Sequence, residues 1–120
     1  MTTTTAQDLL ELYFAAWNED DRQSRKRALD KAVAEDVLII SPTGRQQGRE
    51  ALHQKIEALL ERHEGLTFHL GSPIDTSGRL ARFNWSLVDA KGPVVAGEDI
   101  VQIDASGHIT AVIAWGPDSG

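Results

Sequence analysis

The sequence predicts one α+β domain in which about three helices from the first half pack on an antiparallel sheet from the second. Three observations carry this. Apolar residues recur at helical spacing in three stretches before residue 65. Beyond it they alternate, and three turn signals punctuate the chain at nearly regular spacing. The length of 120 residues fits one domain, spanning 1–120, and leaves no room for two.

Composition bounds the possibilities. An apolar content of 41% supplies one core, and 25% charged residues give an ordinary surface. The net charge of −6 repels phosphate backbones, so no nucleic-acid partner is expected. There is no cysteine, which excludes disulfides, thiolate nucleophiles and thiolate metal sites and fits a reducing cytoplasm. Met1 to Ala6 holds four threonines with no basic or apolar stretch behind them. Neither a signal peptide nor a membrane anchor is expected there. The expectation is a cytoplasmic protein without membrane contact, flexible over residues 1–5.

Thr5-Ala6-Gln7-Asp8 reads as a capping box. Leu9, Leu10, Tyr13, Phe14 and Trp17 then recur at helical spacing, which predicts a helix from about residue 6 to Asn18. Asn18-Glu19-Asp20-Asp21 ends it and caps a second helix through Ala28, Leu29, Ala32 and Val33. Arg22, Arg25, Lys26 and Arg27 are expected on its solvent side. Val37–Ile40 is a short β-branched strand, and Ser41-Pro42-Thr43-Gly44 a turn. Gln46–Gly48 is a brief return strand. A third helix runs from Arg49 to about His63, buries Leu52, Ile56, Leu59 and Leu60, and stops at Gly65.

Asp75-Thr76-Ser77-Gly78, Ala90-Lys91-Gly92-Pro93 and Asp104-Ala105-Ser106-Gly107 are turns. They separate Leu66–Ile74, Leu80–Asp89, Val94–Ile103 and His108–Trp115, which read as a four-strand antiparallel meander. The last strand is apolar on both sides, with Ile109, Ala111 and Ile113 on one and Val112 and Ala114 on the other. Read as an edge-region strand, it predicts a covered outer face and a homodimer through the sheet.

The order of these elements resembles a known family. The matching segments are Tyr13-Phe14-Ala15-Ala16-Trp17-Asn18, Ala34-Glu35-Asp36-Val37, Gly48-Arg49-Glu50-Ala51-Leu52, Gly97-Glu98-Asp99 and Gly107-His108-Ile109. Over nearly its full length the chain resembles the nuclear transport factor 2-like superfamily, and within it the SnoaL-like polyketide cyclase and ketosteroid isomerase branch. The resemblance implies a conical α+β barrel of about three helices on a curved antiparallel sheet, made of the four-strand meander plus one or two short strands. It implies a pocket between helices and sheet, and a dimer. The superfamily holds enzymes, binding proteins and transport factors, so the site must decide the function.

Asp99 stands mid-strand, with Val95, Gly97, Val101 and Ile103 on its face. A carboxylate among apolar neighbours must be hydrogen-bonded, paired or protonated. It is either a general acid with a raised pKa in a pocket, or a structural carboxylate that holds a neighbour in place. The resemblance pairs Asp99 with Tyr13, as a donor pair for a ligand oxygen. It also exposes a departure. The family's isomerases carry an aspartate base before the turn proline, and here Ser41 precedes Pro42. A serine without a partner is no base near neutral pH. Steroid-isomerase chemistry is therefore not expected, and a non-catalytic binding or structural role is the alternative.

The candidate site thus comprises Asp99 and Tyr13 as the catalytic pair. Trp17, Ile40, Ser41, Asn84, Trp85 and Val101 are candidate contacts for a small, largely apolar, oxygen-bearing ligand. Strand register decides between two of them: a tight turn at Lys91-Gly92 puts Asn84 beside Asp99, and a bulge puts Trp85 there. Arg82 is expected outside, and His69 is a distant base candidate. His53 and Glu57 stand four apart on a helix, but two ligands do not make a metal site, and both read as solvated. No cofactor is expected. A cavity of about 300 Å³ or more reaching Tyr13 and Asp99 would support a ligand site, and one filled by Trp17 and Trp85 would sink it.

Overall fold

The computed structural model describes residues 6–19, 21–71 and 73–115. The expectations of flexibility over residues 1–5 and of a Thr5 cap lie outside the described residues.

Helix α1 (Ala6–Trp17) buries Leu9, Leu10, Tyr13, Ala16 and Trp17 on one stripe. Helix α2 (Arg22–Ala32) starts on Asp21, whose carboxylate accepts from the Ser24 backbone N–H at 3.0 Å and the Ser24 hydroxyl at 2.9 Å. Arg25 corrects its solvent-facing assignment. It is buried, and its Nη2 donates at 2.7 Å to the Glu19 carbonyl just past α1. A long apolar stem lets arginine cover a helix junction while its head satisfies a chain-end carbonyl.

Strand β1 (Val33–Ser41) is longer than expected, because the β-branched Val33 leaves the helix and opens the strand. It pairs antiparallel with β2 (Gly44–Gln47). Helix α3 (Arg49–Arg62) buries Leu52, His53, Ile56 and Leu59, and Gly65 turns the chain after it with φ of 84°. His53 corrects the solvated reading: only 2% is exposed, and its Nδ1 lies 3.1 Å from Glu57 Oε1.

The expected first meander strand is two strands. β3 (Thr67–Leu70) and β4 (Asp75–Ser77) both pair with β5 (Leu80–Asp89), and Pro73, which has no N–H to give a ladder, lies in the gap. The Asp75–Gly78 turn is correspondingly shorter, since Asp75–Ser77 is paired strand. β6 (Gly92–Ile103) and β7 (Ile109–Trp115) complete the sheet.

The strand order is β2-β1-β7-β6-β5-β3. The sheet is mixed, not wholly antiparallel, because β7 returns beside β1 in the same direction, with Leu38 opposite Ala111 and Ile40 opposite Ile113. This also corrects the reading of β7. It is an inner strand between β1 and β6, not an edge-region strand. The three helices and the inner sheet face enclose one core, with Leu29, Val33, Val37, Phe83, Leu87, Val101 and Ile109 at its centre. Among the described residues no helix is long and apolar enough to cross a membrane.

A register shift between Leu87 and Val88 sets the faces of the long hairpin. Phe83 lies opposite Asp99 and Trp85 opposite Gly97, so Ala81, Phe83, Trp85 and Leu87 face the core. Asn84 lies opposite Glu98 on the exposed face, which removes it from the candidate site.

Candidate functional site

One cavity reaches both residues of the candidate pair. Its walls are Tyr13 and Trp17 from α1, Leu52, Lys55, Ile56 and Leu59 from α3, and Trp85, Gly97, Asp99 and Val112 from the sheet; Ile39, Ser41, Pro42, Ala114 and Trp115 complete it. Pro42 and Trp115 are exposed, so this end forms the mouth.

Asp99 is 6% exposed. Its Oδ1 accepts from Trp85 Nε1 at 3.2 Å. Burial raises its pKa to about 6, against the Trp85 N–H and the Lys55 ammonium, which lower it. Burial also pushes the Tyr13 hydroxyl up, the Asp99 carboxylate adds to this, and the nearby Trp17 N–H opposes it. Tyr13 therefore stays neutral and offers a proton. It and Asp99 are coupled by charge and are not hydrogen-bonded to each other.

Gly97 makes the Trp85–Asp99 bond possible. A Cβ at this position would lie 2.8 Å from Trp85 Cζ2 and 2.9 Å from Cε2. Only a residue without a side chain lets the indole lie across β6 and reach the next inward position. Trp85 also belongs to an aromatic stack, with ring centroids 5.8 Å from Trp17 and 6.0 Å from Phe68, and Trp17 sits 5.0 Å from Phe68. The stack fixes the cavity wall opposite α3.

These aromatics shrink the cavity. Its volume is about 60 Å³. That is room for a few waters and far below the ~300 Å³ usual for a site that takes a drug-sized molecule. The cavity is present between the two indoles, but the expected size is corrected downward.

Tyr13, Trp17, Ser41, Trp85 and Asp99 therefore share one cavity. Ile40 does not: β1 turns Ile39 inward, and Ile40 lines an outer apolar recess with Ile113 and Trp115. Val101 is in the closed core, on Asp99's face but one step deeper than the cavity. Ser41 Oγ lies 3.1 Å from Thr43 Oγ1 at the mouth. His69 is exposed opposite Ser86, away from the cavity. Arg82 is outside, 2.9 Å from Asp75 and 3.8 Å from Glu98.

Lys55 is the residue that sequence reasoning missed. It follows Leu52 by three positions and precedes Leu59 by four, so it adjoins the buried stripe of α3, and that spacing was the available signal. Among the described residues no group of three or more His, Asp or Glu side chains is placed to hold a metal ion.

A mixed sheet closed by three helices around a buried, hydrogen-bonded carboxyl defines a small α+β pocket domain of the nuclear transport factor 2-like type. The SnoaL-like domain model matches residues 10–112, and the chain belongs to that family. None of the curated proteins matches it. Among solved structures, a SnoaL-like protein of Agrobacterium tumefaciens str. C58, provisionally named an isomerase, is 30% identical with a TM-score of 0.81, covering 95% of this chain and 100% of that one. A SnoaL-like protein of unknown function from Burkholderia thailandensis E264 is 17% identical, with a TM-score of 0.73 and coverage of 98% and 99%. A provisionally named polyketide cyclase from Sinorhizobium meliloti is 16% identical, with a TM-score of 0.67 and coverage of 90% and 94%. The last two show likeness of fold alone.

Proposed function

We propose that the protein binds a compact, largely apolar molecule through an oxygen that docks against Asp99 and Tyr13, and that Asp99 is the group able to exchange a proton with it. The observation that carries this reading is a buried carboxyl on a mostly apolar cavity wall that also holds Tyr13 and the buried Trp17 Nε1, which has no hydrogen-bond partner among the described residues. A buried donor left without a partner is costly, and a ligand oxygen would satisfy it. A carboxyl with a pKa of about 6 suits both directions of proton transfer near neutral pH. Isomerase, cyclase and hydrolase chemistries all begin with such a step. The cavity of about 60 Å³ favours a ligand whose oxygenated head alone enters, the rest lying at the mouth between Pro42 and Trp115.

The second reading is binding without turnover, favoured by Ser41, which stands at the mouth where the family's isomerases carry their aspartate base. The reading extends to a homodimer in the cytoplasm, without nucleic acid or membrane. Ile40, Ile100 and Ile113 form an apolar centre on the outer sheet face, with Arg82 and Glu98 of opposite charge beside it. Such a surface complements a second copy of itself.

Phenol and cyclohexanone test both readings. Phenol should move the indole N–H resonances of Trp17 and Trp85, and Asp99→Asn should weaken its binding by about tenfold, the loss of one charge-assisted hydrogen bond. Asp99-dependent exchange of the cyclohexanone α-protons with solvent marks acid–base catalysis. Binding without exchange marks the second reading. Equal phenol affinity in Asp99→Asn overturns both.

A further inference from the structure

Lys55 gives the cavity a charge that an apolar, neutral ligand does not use. Four residues of α3, Leu52, Lys55, Ile56 and Leu59, line the cavity. Three are apolar and the fourth is a half-buried cation. Lys55 makes no salt bridge or hydrogen bond within the protein among the described residues. Most other cations near α3 are engaged: Arg22 with Glu57, Lys26 with Glu50, Arg49 with Asp30. A lysine with no carboxylate to meet, on a wall where an aliphatic side chain would pack, gives up packing without a salt bridge in return. Asp99 does not serve as that carboxylate. The two groups sense each other only through space, and Trp85 holds the Asp99 oxygen.

The cavity wall thus carries two separate polar stations, a cation on α3 and a hydrogen-bonding carboxyl with Tyr13 across from it. We propose that Lys55 receives the carboxylate of an anionic ligand whose second oxygen lies against Asp99 and Tyr13, so that the ligand class is a compact oxo- or hydroxy-carboxylate. This rests on the reading of the cavity as a ligand site and narrows its occupant. An ion pair inside an apolar, partly enclosed wall is stronger than one at an open surface, because less water screens it. The ligand's charge thereby sets its orientation, with the carboxylate at Lys55 and the reactive oxygen inward.

Acetoacetate and acetoacetamide test this, since they share size, shape and the ketone oxygen and differ in charge. Binding is read from the indole N–H resonances of Trp17 and Trp85. The wild-type protein should bind acetoacetate about fivefold or more tightly than the amide, the magnitude of a partly buried ion pair. Lys55→Met should bring the two affinities together while keeping that for the amide, and Lys55→Gln should do the same should the methionine variant fail to fold. At pH 5, where Asp99 carries its proton and acetoacetate stays ionised, Asp99→Asn should weaken both probes alike. Equal wild-type affinities, or a preference for acetoacetate that survives in Lys55→Met and Lys55→Gln, overturn the inference. Equal affinities that still fall in Asp99→Asn overturn it alone and leave the cavity as a ligand site. If neither probe moves either indole, both readings fall.

Discussion

At the residue scale, Asp99, Trp85 and Gly97 act as one unit. The bulge beside Leu87 brings Trp85 opposite Gly97, the absent Cβ lets the indole lie flat, and the N–H then reaches Asp99 one inward position on. The resulting carboxyl has a pKa raised by burial from the ordinary 3.8 to about 6. The folded state therefore binds the proton more tightly than the unfolded chain does. The stability this contributes is complete below about pH 4 and is lost as pH rises through about 6. An asparagine in place of Asp99 never ionises. Relative to Asp99→Asn, the wild type should lose about 2 kcal/mol of stability between roughly pH 4 and pH 7, from a shift of about two units. Urea unfolding of both proteins across that range measures the difference, and parallel curves would contradict a buried, desolvated Asp99. Asp99 itself was legible in the sequence, because a lone carboxylate among alternating apolar residues is conspicuous. Its donor was not, because one residue of slip exchanges Asn84 for Trp85.

At the element scale, the end of α1 is tied to the sheet by a side chain. Asn18 Nδ2 donates to the Phe68 carbonyl at 3.2 Å, and the Phe68 N–H donates to Asn18 Oδ1 at 2.9 Å. An amide here imitates a strand neighbour for β3 and holds Trp17, the preceding residue, in the aromatic stack. Asn18→Ala should cost about 1–2 kcal/mol, two ordinary hydrogen bonds. It should also speed hydrogen exchange at the Phe68 amide more than at the inner strands β6 and β7. Uniform exchange changes would mean that Asn18 supports the whole fold and not this junction. In the sequence Asn18 read only as a helix end, because a contact fifty positions away leaves no local pattern.

At the scale of the whole molecule, the outer sheet face is the open question that solution behaviour answers. Trp115 is 69% exposed beside Ile113 and Ile40. This apolar surface is where the proposed second copy would sit. The proposed homodimer predicts that the wild type sediments as a dimer at micromolar concentration. Ile113→Lys, which adds a charge to the recess without touching the cavity, should sediment as a folded monomer. A monomeric wild type rejects the dimer. The dimer expectation first rested on β7 as an edge-region strand, and the mixed topology withdraws that premise. What supports it now is the exposed patch and the opposite charges of Arg82 and Glu98 at its border.

The sequence by itself determined the helices, the long hairpins, the family and the prominence of Tyr13 and Asp99. All of these follow from local periodicity, turn chemistry or short matched segments. Only the tertiary structure decided that β7 lies parallel to β1, that Trp85 and not Asn84 meets Asp99, and that Lys55 joins the wall. It also reduced the cavity between the indoles to about 60 Å³. These depend on strand register and on packing between distant elements. A single residue of shift in either changes which side chains face inward, while the period of the sequence stays the same.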